Sequence, residues 1–443
     1  MFKKTAFSAL FLIIFTGIVI WFLQTEKKDI KREPRTFVQR HGSYFSPPPL
    51  NPLLTPRIRE VHIADFPRGD AIWGATGRDD SGHIWFGVTE GSEPHSASLF
   101  EYLPDTEQVI NRGSVVEQLS KAGFLNPDET RIKIHSKIIP ADDGYLYFAS
   151  MDEEGEIADG SKLPTHGSEL WRLRPDTNRW EHLFHAPEGL IAVNGVGRWI
   201  YALGYWDHIL YQYDTLTGEV QHTRVGSEGG HISRNFVVTQ NGHAFVPKVN
   251  YFDMPPVADN TPVADNSTPP AERLLVTTLV EYDTALNKIA STPLIHYARQ
   301  GKKPGSNHGI IGLTYLVDGS AVFVTHLGYL YHIQSTADGP AEIKELGWFH
   351  PQGRSYTPSI FTFAGERYLL GVGRHKQKYE WLVYDMQTHT STAMPFEFDG
   401  GKNKLLLYGS LTRDDRGRFY VAGRHYIDGR GGKPLLLQIS VGE

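Results

Sequence analysis

The sequence predicts an all-β fold, a seven-bladed β-propeller of four-stranded blades preceded by an N-terminal membrane helix. Three observations predict it. One pattern recurs seven times, at intervals of about 40–60 residues. Each copy carries a glycine turn between two short β-rich runs, with aromatic or aliphatic residues following it. The 443 residues also include 44 glycines and 12% aromatics, a composition suited to many short strands joined by tight turns.

The first element is apolar. Residues 5–25 (TAFSALFLIIFTGIVIWFLQT) carry no charge, and as a helix they span about 30 Å, enough to cross a bilayer. Lys3 and Lys4 precede the run and favour a cytoplasmic N-terminus. A cleaved signal peptide is the alternative, but Trp21, Phe22 and Leu23 close the run without an A-x-A-like site. Residues 1–25 are therefore read as an anchor or signal segment. Residues 26–57 are a tether stiffened by Pro47, Pro48 and Pro49, and residues 58–443 are an exported propeller, periplasmic or at the cell surface. Removing residues 1–35 should leave a soluble, folded all-β protein, because no later run is long and apolar enough to span a membrane. Partitioning of that truncated protein only into detergent would refute the assignment.

The repeats follow in order. DDSGHIWFG (79–87), ADDGYLYFA (141–149), GRWIYALG (197–204), TQNGHAFVP (239–247), LVDGSAVFV (316–324), FAGERYLLG (363–371) and DDRGRFYVA (414–422) each lead to a Leu-Tyr-x-Tyr-Asp-like strand. Glycine supplies the hairpin between strands one and two, and pairs such as Trp85-Phe86 are expected to pack between blades. Residues 58–65 (IREVHIAD) are placed to complete the last blade and close the ring. One helical pattern, SVVEQLSKAGF (114–124), is a short insertion. Residues 253–274 repeat PVADN and contain five prolines, which marks a flexible loop between strands two and three of blade four. Deleting residues 255–270 should leave the melting temperature unchanged, and a large fall would show the segment to be structural.

Composition bounds the chemistry. Hydrophobic residues at 40% supply a core, and the absence of cysteine excludes disulfides, thiol nucleophiles and Cys-ligated metals. The net charge of −6 divides into +4 on residues 1–35 and −10 on the remainder, so the body is a poor general partner for nucleic acid. G-x-S-x-G, H-E-x-x-H and Walker A sequences are absent. The Asp-rich turns have an ordinary Asx-turn explanation.

In a propeller, the loop entering the innermost strand and the loop after strand two open on one face. Nine residues before the hairpin glycines stand Trp73, His135, Ser233, Tyr356 and Tyr408, with His308 eleven before Gly319 and Asn194 in blade three. Blade four reads GGHISRN and places His231, Arg234 and Asn235 in the same zone. The loops after strand two add Tyr205, His326, Arg374, His375 and Arg424. A cleft holding His, Tyr and Arg suits β-elimination from a uronic acid. Arg neutralises the carboxylate as enolate character develops, while His or Tyr groups take one proton and return another. The expected roles are His135 as base, Tyr205 as acid (or the reverse) and Arg234 as neutraliser. The substrate would be bound by His231, Asn235, His308, Tyr356, Arg374 and Arg424. A divalent metal on His231, His308 and His326 is a further option that the sequence leaves undecided.

KIHSKIIPADDGYLYFAS, GGHISRNF, HGIIGL and LYGSLTRDDRGRFYVAGR resemble bacterial seven-bladed propeller polysaccharide lyases of the ulvan lyase-like group. The resemblance implies an inner-strand His in blade two, matched by His135, and a Tyr and an Arg in the following blades. Tyr205, Tyr211 and Tyr213 compete for the Tyr. It also implies a second His after the blade-two aromatic pair, where the first His is His166. SGHIWFGV resembles streptogramin lyase propellers, which use a metal in elimination. The expected function is a lyase cleaving an acidic, uronate-containing polysaccharide, sulfated or not. The rival is a non-catalytic propeller that binds a glycan, peptide or protein.

Overall fold

The computed structural model describes residues 54–63, 66, 68–90, 96–126, 129, 133–157, 161–228, 233–253, 273–297, 309–336, 339–397, 404–427 and 431–442. These form seven antiparallel sheets, six of them built from consecutive strands alone. Blade one runs from Gly69 to Ser114, blade two from Lys133 to Ala186 and blade three from Leu190 to Arg224. Blade four runs from Val237 to Pro293, blade five from Ile310 to Trp348 and blade six from Tyr356 to Pro395. Blade seven takes three strands from residues 404–440 and its fourth from Arg57–Glu60, which pairs with Gly431–Ser440 in the register Arg57↔Ser440 to Glu60↔Leu437. The expected N-terminal strand thus closes the ring. Trp381 Nε1 fastens the approach to it by donating to the Leu54 carbonyl at 2.9 Å.

All seven predicted hairpins are present. Their glycines (Gly82, Gly144, Gly197, Gly242, Gly319, Gly365 and Gly417) have φ between 57° and 83°, a region costly for side chains with a Cβ. Alternation along strand two then sends successive residues to opposite neighbours. Trp85 joins the core between blades one and two, while Phe86 joins the core between blades seven and one. Seven such apolar clusters occur, one at each blade interface. The predicted helix spans Val115–Ala122, with the Ser114 side chain accepting from the Glu117 amide and Gly123 at φ 78° ending it.

Among the described residues no helix is long and apolar enough to cross a membrane. The expected membrane helix, at residues 1–25, and most of the Pro-rich segment lie outside the described residues. Strands Ala244–Asp253 and Arg273–Tyr282 flank that segment and pair with each other, as strands two and three of blade four.

Candidate functional site

The innermost strands are irregular at one end of the channel. In blade one Gly69–Ala71 and Thr76–Arg78 both pair with Ile84–Glu90, and the interruption carries Trp73. Blade two repeats this: Lys133–Ile134 and Ile139–Pro140 both pair with Leu146–Met151, and the interruption carries His135. The registers of blades three, five, six and seven also shift near this end. Such irregularities re-aim side chains that a regular ladder would send into the blade interfaces.

The re-aimed groups meet. Trp73 stacks on His135 with centroids 6.3 Å apart and packs on Tyr408 at 4.6 Å. The Arg234 guanidinium stands 5.9 Å from the Tyr408 ring centre, and the Arg424 guanidinium 5.4 Å from that of Trp73. Lys133 Nζ lies 4.4 Å from the centre of Trp73 and is paired with Glu153 at 2.5 Å. Tyr356 lies opposite Arg374 across blade six, with its ring 5.1 Å from His326. Blades one, two, four and seven therefore contribute to one polar, aromatic mouth.

The cations there differ. Arg424 donates to Asp70 at 2.7 Å and to the Tyr426 hydroxyl, so its charge is matched. Arg374 is hydrogen-bonded to Tyr379, whose hydroxyl also accepts from the Leu407 amide at 2.9 Å. Among the described residues Arg234 has no carboxylate partner, and its buried Nη1 makes no hydrogen bond. Burial pushes the Tyr408 phenol up to about 12, with Arg424 and Arg234 opposing the shift, so Tyr408 is a neutral hydroxyl at physiological pH.

Other predicted residues have different surroundings. Tyr205 is 2% exposed, set edge-on to Trp206 at 4.3 Å within the core between blades three and four. Asn235 donates to the carbonyls of Ile310 and Ile311 at 3.1 and 2.7 Å, tying blade four to blade five. Asn194 plays a similar part, donating to the Phe236 carbonyl at 2.8 Å and the Tyr315 hydroxyl at 2.7 Å. His375 stacks on His350 at 4.2 Å and is hydrogen-bonded to the Arg354 carbonyl. His231 and His308 lie outside the described residues, and with them two of the three ligands of the conceivable His-only metal site. Tyr408 and Trp73 occupy the register position that the sequence indicates, but their weight comes from contacts between blades that no local pattern reveals.

Among the described residues one group has metal-ligand proximity, Asp79, His83 and Glu101, whose donor atoms lie within 4.8 Å of one another. Its atoms are already engaged. Asp79 accepts from Ser81 N, His83 N and Trp85 Nε1 at 2.8–3.0 Å. Glu101 is hydrogen-bonded to His83 at 2.7 Å and accepts from Arg112. Other blades have equivalents at the same third-strand position. Glu281 bonds His243 at 2.8 Å, His332 bonds Ser320 at 2.8 Å, and Gln438 donates to Tyr420 at 2.9 Å. The group is one instance of a repeated clamp between the first hairpin and strand three.

No family model matches the sequence, and no curated protein matches it. Several solved structures are similar over most of their length. One is a protein of unknown function from Dyadobacter fermentans, 11% identical, covering 87% of this chain and 99% of that chain with a TM-score of 0.47. Another is Kuenenia stuttgartiensis hydrazine synthase, at 11% identity, 84% and 98% coverage and a TM-score of 0.46. A chain of a mitotic checkpoint complex gives 8%, 89%, 95% and 0.47. Likeness at this level carries no argument for activity.

Proposed function

We propose that the channel mouth binds a carboxylate-bearing glycan and cleaves it by β-elimination. The observation that carries this reading is Arg234, a guanidinium with a buried, unbonded Nη1 and no acidic partner among the described residues, held over Tyr408 in a mouth that also contains His135. Such a group suits the uronate carboxylate, whose charge must be stabilised as the adjacent carbon loses its proton. His135 takes that proton. The electron pair forms the new carbon–carbon double bond, the bond to the β-oxygen breaks, and Tyr408 returns a proton to the departing oxygen. Tyr408 replaces Tyr205 in this role because Tyr205 is enclosed in a blade core. Tyr356, Arg374 and Arg424 line the approach of the chain. The resemblance to ulvan lyase-like propellers agrees with this chemistry. Residues 1–25 would hold the enzyme at the membrane or direct its export, with the acidic body facing the glycan and no role with nucleic acid.

A second reading is favoured by the Trp73–Tyr408 aromatic pair, a platform on which a sugar ring can stack without reacting. The test has two arms on purified full-length protein and a panel of acidic polysaccharides: the ultraviolet absorbance of unsaturated uronate, and retardation in affinity electrophoresis. Absorbance supports the lyase, and retardation alone supports the binding module. Neither response on any acidic glycan would refute both.

A further inference from the structure

Two histidines stack where the chain passes from blade five to blade six. His350 follows strand Glu342–Trp348 of blade five, and residues 351–355 lead from it to Tyr356, the first residue of the inner strand of blade six. His375 ends strand Tyr368–His375, and the chain turns through Lys376 and Gln377, both at positive φ, into strand Lys378–Asp385. This linker and this hairpin carry Tyr356 and Arg374 on the face of the mouth. The imidazole centres are 4.2 Å apart, with 10° between the rings. His350 is fully buried and His375 is half-buried.

Hydrogen bonds fix the proton on each ring. The Gln352 amide donates to His350 Nδ1 at 3.0 Å, so that nitrogen carries no hydrogen, and Nε2–H donates to Glu380 at 2.9 Å. A carbonyl oxygen only accepts, so His375 donates from Nδ1–H to Arg354 at 2.8 Å. Its Nε2 is then a bare lone pair, buried and without a hydrogen-bond partner. Both rings are therefore neutral in this arrangement, and a proton added at His375 Nε2 would be a buried donor with no acceptor. The charged groups around the pair oppose it too. Arg354 stands in the linker, and Arg374, Lys376 and Lys378 in the hairpin, while the Glu380 carboxylate already accepts from His350. Burial holds the His350 imidazole below its ordinary range, with Glu380 pulling the other way and His375 and Lys376 adding to the fall.

We propose that the stacked pair is a proton-operated latch on the blade-six side of the mouth. Neutral, it clamps the linker before Tyr356 to the hairpin after Arg374. When His375 takes a proton at Nε2, its ring leaves the stack for water, the bond to the Arg354 carbonyl breaks, and linker and hairpin part. An imidazolium is stable in water and unfavourable when buried without an acceptor, and that difference couples protonation to movement. Acidification thus loosens the side of the mouth lined by Tyr356 and Arg374. The latch rests on the geometry of the pair and on neither reading of what the mouth does.

Hydrogen–deuterium exchange of the full-length protein at pH 5 and pH 8 tests the proposal. After correction for intrinsic rates, residues 350–356 and 374–380 should exchange about tenfold faster at pH 5, the effect of losing one or two hydrogen bonds. The other hairpin of the same blade, residues 363–368, should not follow. His375→Asn keeps a donor for the Arg354 carbonyl and cannot be charged, so in that variant the two segments should no longer respond to pH. The wild-type comparison stands whether or not the variant folds. A second measurement reads the proton directly: in ¹⁵N-histidine-labelled protein at pH 8, the His375 ring (the one missing from His375→Gln) should show the Nδ1–H tautomer. Equal protection at both pH values, a loss shared by residues 363–368, a pH response that persists in a folded His375→Asn, or a His375 ring carrying its hydrogen on Nε2 would each overturn the proposal. Neither measurement uses a glycan, so none of these outcomes bears on β-elimination at the mouth.

Discussion

Replacing His135 by Ala is expected to lower turnover on a cleaved acidic glycan by about 10²–10⁴-fold, the usual contribution of a general acid–base group. The melting temperature should change little. His135, 8% exposed, sits in an interruption of the inner strand and stacks on Trp73 of blade one, outside the apolar cluster that joins the two blades, so its loss removes no member of that cluster. Arg234→Lys should also be damaging, although the charge is kept. A point charge cannot reproduce the two parallel hydrogen bonds that a guanidinium offers a carboxylate. Tyr408→Phe should depress turnover while leaving glycan retardation nearly intact, because the ring still packs on Trp73. A purely structural His135 gives another pattern, with melting temperature falling and activity following only the folded fraction. Wild-type turnover in both His135→Ala and Arg234→Lys would remove the mouth from the reaction and move attention to His326, His375 and Arg424.

The fold was legible because its signals are local and repeated. A glycine at φ near 80°, a strand alternating between two interfaces and a polar position on strand three recur in nearly every blade. Repetition lets weak signals reinforce one another. Ring closure by Arg57–Glu60 was readable because an odd strand was left over at the N-terminus and a blade was short of one at the C-terminus.

The site was legible only in part. Counting back from the hairpin glycines placed Trp73, His135, Tyr356 and Tyr408 on one rim, since strand length fixes that distance. The count says nothing of bulges, which decide whether a residue at the rim turns to the channel or to the core. Tyr205 lies in a loop after strand two, as predicted, yet it packs into the core between blades three and four. Asn235 was grouped with ligand-binding residues by register, but its amide is used to join two blades.

Glu188 is a residue that no motif announces, and its removal is expected to have the largest effect on stability. It is fully buried at the start of blade three. Its Oε2 accepts from the amides of Trp206, Asp207 and His208 at 3.0, 2.7 and 3.2 Å, and its Oε1 from Ile209 at 3.2 Å. One side chain therefore satisfies four successive donors in the loop after strand two. Gly204 makes room for it, since a Cβ there would fall 1.9 Å from Oε1. Glu188→Ala should cost about 3 kcal/mol or more, because it leaves several buried amides unbonded. Burial pushes the Glu188 carboxyl from 4.5 up to about 7, against the pull of the amides. Between those values the folded protein holds a proton that the unfolded chain has lost. Stability from this group is therefore present below about 4.5 and is lost as pH rises through about 7. Glu156, raised to about 7 by burial, contributes a slope of the same sign. His332, His350 and His425, held below 6.5 by burial, contribute a slope of the opposite sign, so in a Glu156→Gln background Glu188 is read as a difference. Between pH 5 and pH 8 chemical unfolding of Glu188→Gln should show a smaller loss (or a larger gain) of stability than its parent, at a lower overall stability, its amide being unable to offer two acceptor oxygens. An unchanged slope in Glu188→Gln would mean that the carboxylate stays ionised, held by its four amides, and that burial is the weaker force at this position.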